Sequence, residues 1–209
     1  AGRVVYQELA RINKAMREKE LYTNPVLLKL IDRVKSTRNT LHLIGLVSDG
    51  GVHSHINHLM GLCDLFHEFD LPRVSIHAFL DGRDCDPKSG AGFVKKLLQQ
   101  IEGTNATLTS MIGRYYAMDR DKRWERIKKA YDLLTQGIGE YTSDPVTSLH
   151  QSYAKNITDE FIEPYLLNRD KDLLIKNGDA VLFFNFRTDR PRQITEALTQ
   201  KEFPDQQMS

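Results

Sequence analysis

The segment Leu41–Phe66 constrains the fold more than any other part of this 209-residue sequence. It reads LHLIGLVSDGGVHSHINHLMGLCDLF, and its first residues are almost all apolar, as a buried strand requires. Two adjacent glycines then allow a sharp turn, because glycine adopts backbone conformations that a side chain would forbid. Apolar residues recur at helical spacing in the second half, with Ser54 as the expected N-cap. The segment therefore predicts a strand, a loop that contains His53 and a helix.

The same order of strand, polar loop and helix recurs three more times along the chain. Further strands are predicted at 74–80, 106–112 and 180–186, and helices at 4–19, 25–36, 91–101, 126–136 and 148–155. Strands that alternate with helices are typical of a largely parallel sheet covered on both faces. The predicted fold is α/β, a three-layer α/β/α arrangement with a mostly parallel sheet. If the strands are parallel and adjacent, their loops share the edge where such sheets bind ligands.

Arginines follow the ends of these predicted strands. They are Arg83, Arg114, Arg120, Arg187 and Arg190. A guanidinium group stays protonated and presents a planar fork of donors that matches carboxylate and phosphate oxygens. Any one of these arginines, taken alone, is equally well explained as a solvated surface residue with no ligand. Together, at equivalent places in the topology, they favour a site for a small molecule with more than one anionic group.

Asp84 is the candidate acid–base residue, because it directly follows Arg83 in the loop after the second strand. A carboxylate beside arginines ionises easily, since the opposite charge favours the charged form. It could then accept a proton from a ligand hydroxyl while the arginines hold the anion. A helix N-cap or a simple arginine partner explains an aspartate at this place equally well.

A histidine-rich loop leaves a metal site open as an alternative. Asp49, His53, His55 and His58 could act as ligands, which would make the protein a stand-alone metallohydrolase. Their spacing matches no standard zinc set, and histidines near a helix N-terminus also serve as donors to anions. We prefer the interpretation in which His55 and His58 are structural and His53 faces the ligand.

Several function classes are disfavoured by what the sequence lacks. It contains no GxGxxG, Walker or GxSxG motif, and Cys63 and Cys85 do not form a CxxC pair. Lys and Arg number 29 against 28 Asp and Glu, so the net charge of +1 gives no general attraction to nucleic acid or membrane. Without a signal peptide or a run of transmembrane length, we expect a cytoplasmic protein. The chain is expected to hold a ligand without supplying a nucleophile.

Four runs of residues resemble those of the cofactor-independent (2,3-bisphosphoglycerate-independent) phosphoglycerate mutases. They are SDGGVHSH at 48–55, HAFLDGRD at 77–84, IGRYYAMDR at 112–120 and FNFRTDR at 184–190. The runs SYAK at 152–155 and TDEF at 158–161 are similar as well. The runs come in the order of the family, and the resemblance covers essentially the whole chain.

The resemblance implies that residues 1–209 form a single substrate-binding transferase domain of a two-domain enzyme. In that family a second, phosphatase-like domain carries a serine nucleophile and two manganese ions. We therefore expect no metal or cofactor in this chain, and no activity from it alone. The expected partners are 2- and 3-phosphoglycerate and the enzyme's own phosphatase-like domain, with no nucleic acid and no membrane, in a monomer.

The resemblance also assigns roles to individual residues. The implied reaction interconverts 3-phosphoglycerate and 2-phosphoglycerate in glycolysis and gluconeogenesis through a phosphoserine. The positions that match substrate-binding residues of the family are His53, Arg83, Asp84, Arg114, Arg120, Arg187 and Arg190. Asp84 matches the residue proposed to move the hydroxyl proton.

Overall fold

Six strands form one sheet in the computed structural model, which describes residues 7–199 and 203–208. In chain order they are β1 (Leu41–Val47), β2 (Val74–Leu80), β3 (Ala106–Gly113), β4 (Glu140–Tyr141), β5 (Tyr165–Leu166) and β6 (Ala180–Phe183). Their order in the sheet is β4-β5-β3-β2-β1-β6. Neighbours β3, β2, β1 and β6 are parallel, and β5 runs antiparallel to β3. The predicted mostly parallel sheet is confirmed.

Helices cover both faces of this sheet. They are α1 (Glu8–Arg17), α2 (Pro25–Thr37), α3 (Ile56–Glu68), α4 (Gly90–Ile101), α5 (Arg114–Ala117), α6 (Trp124–Gln136), α7 (Pro145–Ala154) and α8 (Arg192–Thr199). Buried residues of α2, α3, α4 and α7 pack on one face, and those of α5, α6 and α8 on the other. The three-layer architecture is therefore also as predicted. None of the helices in the described ranges is long and apolar enough to cross a membrane.

Strand β1, which lies between β2 and β6, shows why an almost wholly apolar run was needed. All seven of its residues are buried. Leu43 and Val47 belong to the core cluster on one face, whereas Ile44 and Leu46 belong to the cluster on the other. Burying each such side chain contributes about 1.5–3 kcal/mol. A strand with helices on both sides cannot alternate apolar and polar residues, and this one does not.

A row of polar side chains crosses the otherwise apolar sheet. His42 Nδ1 lies 3.0 Å from His77 Nε2, and His77 Nδ1 lies 2.8 Å from the Ser110 hydroxyl. His42 Nε2 lies 3.1 Å from the Asp179 carboxylate. Complete burial, and then the neighbouring His42, lowers the pKa of His77 well below its ordinary value, so this ring is neutral. The row ties four strand regions together through hydrogen bonds, which the sequence patterns did not predict.

Two boundaries differ from the predictions for identifiable reasons. The strand predicted at 180–186 ends at Phe183, because the side chain of Asn185 turns inward and accepts a hydrogen bond from the Leu46 amide at 2.9 Å. The N-cap of α3 is His55, not Ser54: His55 Nδ1 accepts from the Asn57 amide at 3.2 Å. The Ser54 hydroxyl instead donates to the Leu46 carbonyl group.

Other differences concern lengths and short elements. The helix predicted at 4–19 is α1, from Glu8 to Arg17, and the predicted residues before 7 lie outside the described part of the chain. The last predicted helix begins earlier, at Pro145, because Asp144 caps it by accepting from the Thr147 amide at 3.0 Å. No sequence pattern predicted α5, β4 and β5, which span only two to four residues each.

Candidate functional site

The carboxyl ends of β1, β2, β3 and β6 meet at one edge of the sheet. The loops that follow them, at 48–55, 81–89, 114–123 and 184–191, form what we call the rim. Each sequence-predicted site residue lies in one of these loops, which places the set at the same edge. They are His53, Arg83, Asp84, Arg114, Arg120, Arg187 and Arg190.

Arg114 lies at the centre of the rim, where β3 passes into α5. Its Nη1 donates to Asp81 Oδ1 and to Asp84 Oδ2, both at 2.6 Å, and its side chain is 3% exposed. Burial alone would lower the pKa of Arg114, but the hydrogen bonds to Asp84 and Asp81 outweigh it and raise the pKa. Arg114 is therefore a fixed positive charge that holds Asp84 in place.

Asp81 organises the loop that carries Arg83 and Asp84. Its Oδ1 accepts hydrogen bonds from the backbone amides of both residues at 3.1 Å, as in an aspartate-stabilised turn. Burial by itself would raise the pKa of Asp81, but the nearby Ser48 hydroxyl, the Asp84 amide and Arg114 lower it. The buried carboxylate of Asp81 is therefore charged, and its role is to shape the turn.

His53 lies between two carboxylates of the rim. Its ring is 4% exposed, with Nε2 3.9 Å from Asp84 Oδ2 and Nδ1 3.8 Å from Asp189 Oδ1. Burial, and then the charges of Arg114 and Arg187, lower the pKa of His53, against the opposing effect of Asp84 and Asp189. The imidazole is therefore neutral near pH 7 and can accept a hydrogen bond at one nitrogen.

Asp189 joins the outer arginines of the rim. Its Oδ2 accepts from Arg120 Nη1 at 3.0 Å and from Arg187 Nη2 at 3.2 Å. These hydrogen bonds hold Oδ2 in place, and the other oxygen, Oδ1, faces His53. Asp189 lies within the matching run at 184–190 but was not predicted as a site residue.

Arg190 and Arg83 complete the positive wall of the site. Arg190 Nη1 donates to the Met118 carbonyl group at 3.2 Å, and its buried Nε has no hydrogen-bond partner within the described ranges. Burial lowers the pKa of Arg190, and the charges of Arg114, Arg120 and Arg83 lower it further. Arg83 Nη1 lies 3.4 Å from Glu160 Oε1. The guanidinium groups of Arg83, Arg114, Arg120 and Arg190 repel one another, so an anion bound between them would be stabilised.

A cleft of about 290 Å³ opens between these arginines. Its lining includes Arg83, Arg114, Arg120, Arg123, Arg126 and Arg190. Arg123 and Arg126 were not predicted as site residues. Both pair with Asp119, and the Arg126 guanidinium also stacks on the Tyr115 ring at 3.8 Å from its centroid. The signal that could have identified them is the basic stretch at 120–126, around the start of α6, from which only Arg120 was predicted as a site residue.

The histidine cluster does not support a metal site. His58 Nε2 lies 2.7 Å from Asn13 Oδ1, and His55 caps α3. In residues 7–199 and 203–208, no group of three or more His, Cys, Asp or Glu side chains could hold a metal ion. The described residues therefore do not fit a metal ion bound at the histidine loop. The metallohydrolase hypothesis is not favoured.

Comparisons with known proteins agree on one family. The family model described as "BPG-independent PGAM N-terminus" matches residues 12–209. A 2,3-bisphosphoglycerate-independent phosphoglycerate mutase of Flavobacterium johnsoniae is 52% identical over 211 residues, covering 100% of this chain and 42% of the relative. One from Bacteroides fragilis is 47% identical over 205 residues, covering 98% of this chain and 40% of the relative.

A solved structure supports the same relationship. The crystal structures of Leishmania mexicana phosphoglycerate mutase at low cobalt concentration include a chain that superimposes with a TM-score of 0.86 at 30% identity. The match covers 97% of this chain and 39% of the Leishmania chain. The present chain thus spans 42% of the length of the first of these curated relatives, and matches their N-terminal region.

Proposed function

Because the chain belongs to the family of 2,3-bisphosphoglycerate-independent phosphoglycerate mutases, whose N-terminal region it matches, we propose that it binds the phosphoglycerate in such an enzyme. The enzyme would interconvert 3-phosphoglycerate and 2-phosphoglycerate. The chain would act as its substrate-binding transferase domain, with residues 1–209 as one unit.

One observation carries this proposal: guanidinium groups from separate loops converge on one cleft. A phosphoglycerate has a carboxylate and a phosphate, and each can accept a bidentate pair of hydrogen bonds from an arginine. Hydrogen bonds to charged groups contribute about 1.5–3 kcal/mol each. The proposed binding residues are His53, Arg83, Arg114, Arg120, Arg187 and Arg190, together with Asp84.

Asp84 is the proposed proton acceptor. Arg114, which lines the cleft, donates to Asp84 Oδ2 at 2.6 Å and so fixes the carboxylate at the rim. When a hydroxyl of the bound glycerate attacks the phosphoserine, its proton would pass to Asp84, which would then protonate the oxygen that leaves the phosphoryl group in the next turnover. Holding both hydroxyls of the glycerate within reach of one phosphoryl group lowers the barrier through proximity.

The remaining chemistry is assigned to a second domain. Neither a nucleophile nor a metal cluster belongs to the proposed set of residues, so the phosphorylated serine and its metal ions, manganese by the family resemblance, would lie on a phosphatase-like partner domain. The chain alone would bind its ligand weakly and would not turn over. A monomeric cytoplasmic enzyme remains our expectation.

Titration calorimetry with 3-phosphoglycerate tests the binding proposal. Arg187→Ala and Arg190→Ala should each weaken binding at least tenfold, because each removes a guanidinium group from the rim. Arg73→Ala is the matched control. Arg73 precedes β2 at the opposite edge of the sheet and pairs with Asp172 at 3.1 Å. An unchanged affinity in both rim variants, or an equal loss in the control, would contradict the proposal.

A further inference from the structure

Two buried polar atoms face each other at the rim without a bond. His53 Nδ1 and Asp189 Oδ1 lie 3.8 Å apart, and neither has a hydrogen-bond partner within the described part of the chain. A buried polar atom without a partner costs about 1–3 kcal/mol, so native proteins rarely leave two in one place. Hydrogen bonds in catalytic sites are often long without substrate and shorten in the complex. The pair therefore has the chemistry of a hydrogen bond in which the imidazole is the donor and the carboxylate the acceptor.

A backbone hydrogen bond fixes the two loops that carry His53 and Asp189 relative to each other. The carbonyl oxygen of His53 accepts from the Phe186 amide at 2.8 Å, which joins the loop after β1 to the loop after β6. Asp189 Oδ2 is meanwhile held by Arg120 and Arg187. The carboxylate cannot rotate without breaking both hydrogen bonds to arginines. Its free Oδ1 is therefore directed at the imidazole.

We propose that Asp189 is a positioning residue that fixes His53 in the tautomer with the proton on Nδ1. A neutral imidazole carries one N–H, so it can donate to Asp189 or to Asp84 but not to both. Asp84 Oδ2 already accepts from Arg114 at 2.6 Å, whereas Asp189 Oδ1 has no donor. The N–H at Nδ1 satisfies the atom that lacks a partner.

This tautomer leaves two acceptors close together at the rim. His53 Nε2 then presents a lone pair 3.9 Å from the carboxylate oxygen of Asp84. One hydroxyl group can lie near both, because 3.9 Å is shorter than two hydrogen bonds of about 2.8 Å placed end to end. This step rests on the proposed function: the hydroxyl of the bound glycerate would donate to one acceptor and lie within reach of the other. Asp189 would thus act on the substrate through His53 without touching it.

Long-range ¹H–¹⁵N correlation spectra of the labelled 209-residue chain read the tautomer directly. The His53 ring signals are assigned by their loss in His53→Gln, and spectra are recorded where the imidazole is neutral. The wild-type chain should show the Nδ1–H form.

Asp189→Asn makes the sharpest test, because it keeps the shape of the side chain. Its oxygen would stay with Arg120 and Arg187, which can only donate, and its NH₂ group would face His53. The ring must then accept at Nδ1, so the tautomer should invert to Nε2–H. Asp189→Ala should abolish the preference and give a mixture of both forms.

Asp121→Ala is the matched control. Asp121 is another carboxylate at the cleft that pairs with an arginine, Arg123 at 2.6 Å, and it has no contact with His53 among the described residues. It should leave the Nδ1–H form unchanged. A wild-type ring in the Nε2–H form, a wild-type mixture, or an Asp189→Asn spectrum equal to wild type would overturn the proposal.

Calorimetry on the same samples separates this inference from the proposed function. If wild type binds 3-phosphoglycerate but its tautomer is Nε2–H, the role of Asp189 fails and the binding proposal stands. Suppose instead that the wild-type tautomer is Nδ1–H and inverts in Asp189→Asn, but 3-phosphoglycerate does not bind. The positioning role of Asp189 then stands, and the proposed ligand is wrong.

Discussion

Arg114 and Asp84 lie 2.6 Å apart, Nη1 to Oδ2, although they belong to different strand ends. The strands β2 and β3 are parallel neighbours, and Leu80 pairs with Gly113 at the ends of both. The loops that follow therefore start side by side, and their first charged residues meet. Topology thus brings together residues 30 positions apart in the sequence.

Replacing Arg114 by alanine should destabilise the fold as well as the site. The substitution leaves the carboxylate of Asp81, which is 1% exposed, without its positive partner. Breaking a buried pair in this way costs about 3–5 kcal/mol. Urea denaturation should show a loss of that size. Arg123→Ala, which breaks ion pairs of an arginine side chain that is 46% exposed, should cost far less, because solvent screens such pairs. Equal losses in the two variants would refute the buried-pair account.

Gly113 should not tolerate alanine. A Cβ at this position would overlap the carbonyl oxygen of Glu160 and lie 2.7 Å from the Ile162 amide nitrogen, and both are backbone atoms. The Gly113 amide also donates to the Ile162 carbonyl group at 2.7 Å. We expect Gly113→Ala to lower the free energy of unfolding by about 1–3 kcal/mol. It should also displace Glu160, the partner of Arg83.

Gly92→Ala is the control for that substitution. Gly92 lies within α4, and a Cβ there would meet nothing within 4 Å. Alanine is the better helix former, so this variant should gain about 0.5–1 kcal/mol in the same assay. If both glycines tolerate alanine equally, the tight packing of the segment at 158–162 against the rim is wrong.

His58 should make the stability depend on pH. Burial, and to a lesser extent His55, lowers its pKa from 6.5 to about 4. The unfolded chain therefore takes up a proton near pH 6.5, whereas the folded chain does not until about pH 4. The contribution of His58 is fully present above pH 6.5 and is lost as the pH falls through this window.

His58→Gln should flatten that slope, by up to about 1.4 kcal/mol per pH unit, in urea denaturation curves collected across the window. His67→Gln is the control, because His67 is exposed on the same helix, and it should leave the slope unchanged. A His58→Gln variant that loses stability in step with wild type as the pH falls would show that His58 does not titrate as described.

Much of the fold could be predicted because its signals are local. The apolar strands, the glycine turns and the helical spacing each occupy short stretches of sequence. The shared edge then follows from the geometry of parallel strands, so the residues at their ends were identifiable from their place in the pattern. The short strands β4 and β5, of two residues each, lie below the length at which periodicity carries information.

The pairing of side chains within the site could not be predicted. Asp81, Asp84 and Asp189 are all aspartates in charged loops, and their roles differ only through the arrangement of their neighbours. Asp81 is buried in a turn, Asp84 faces His53, and Asp189 joins two outer arginines. The choice between Ser54 and His55 as the cap of α3 is of the same kind, since both can accept from a backbone amide.

The central claim is that the rim recognises both anionic groups of one small acid. Calorimetric titration of the chain with 3-phosphoglycerate, glycerate and glycerol 3-phosphate tests it most directly, because the last two each lack one of those groups. The account predicts that 3-phosphoglycerate binds at least tenfold more tightly than either, since one charged hydrogen bond contributes about 1.5–3 kcal/mol. Equal affinity for 3-phosphoglycerate and either of the other two ligands would contradict it.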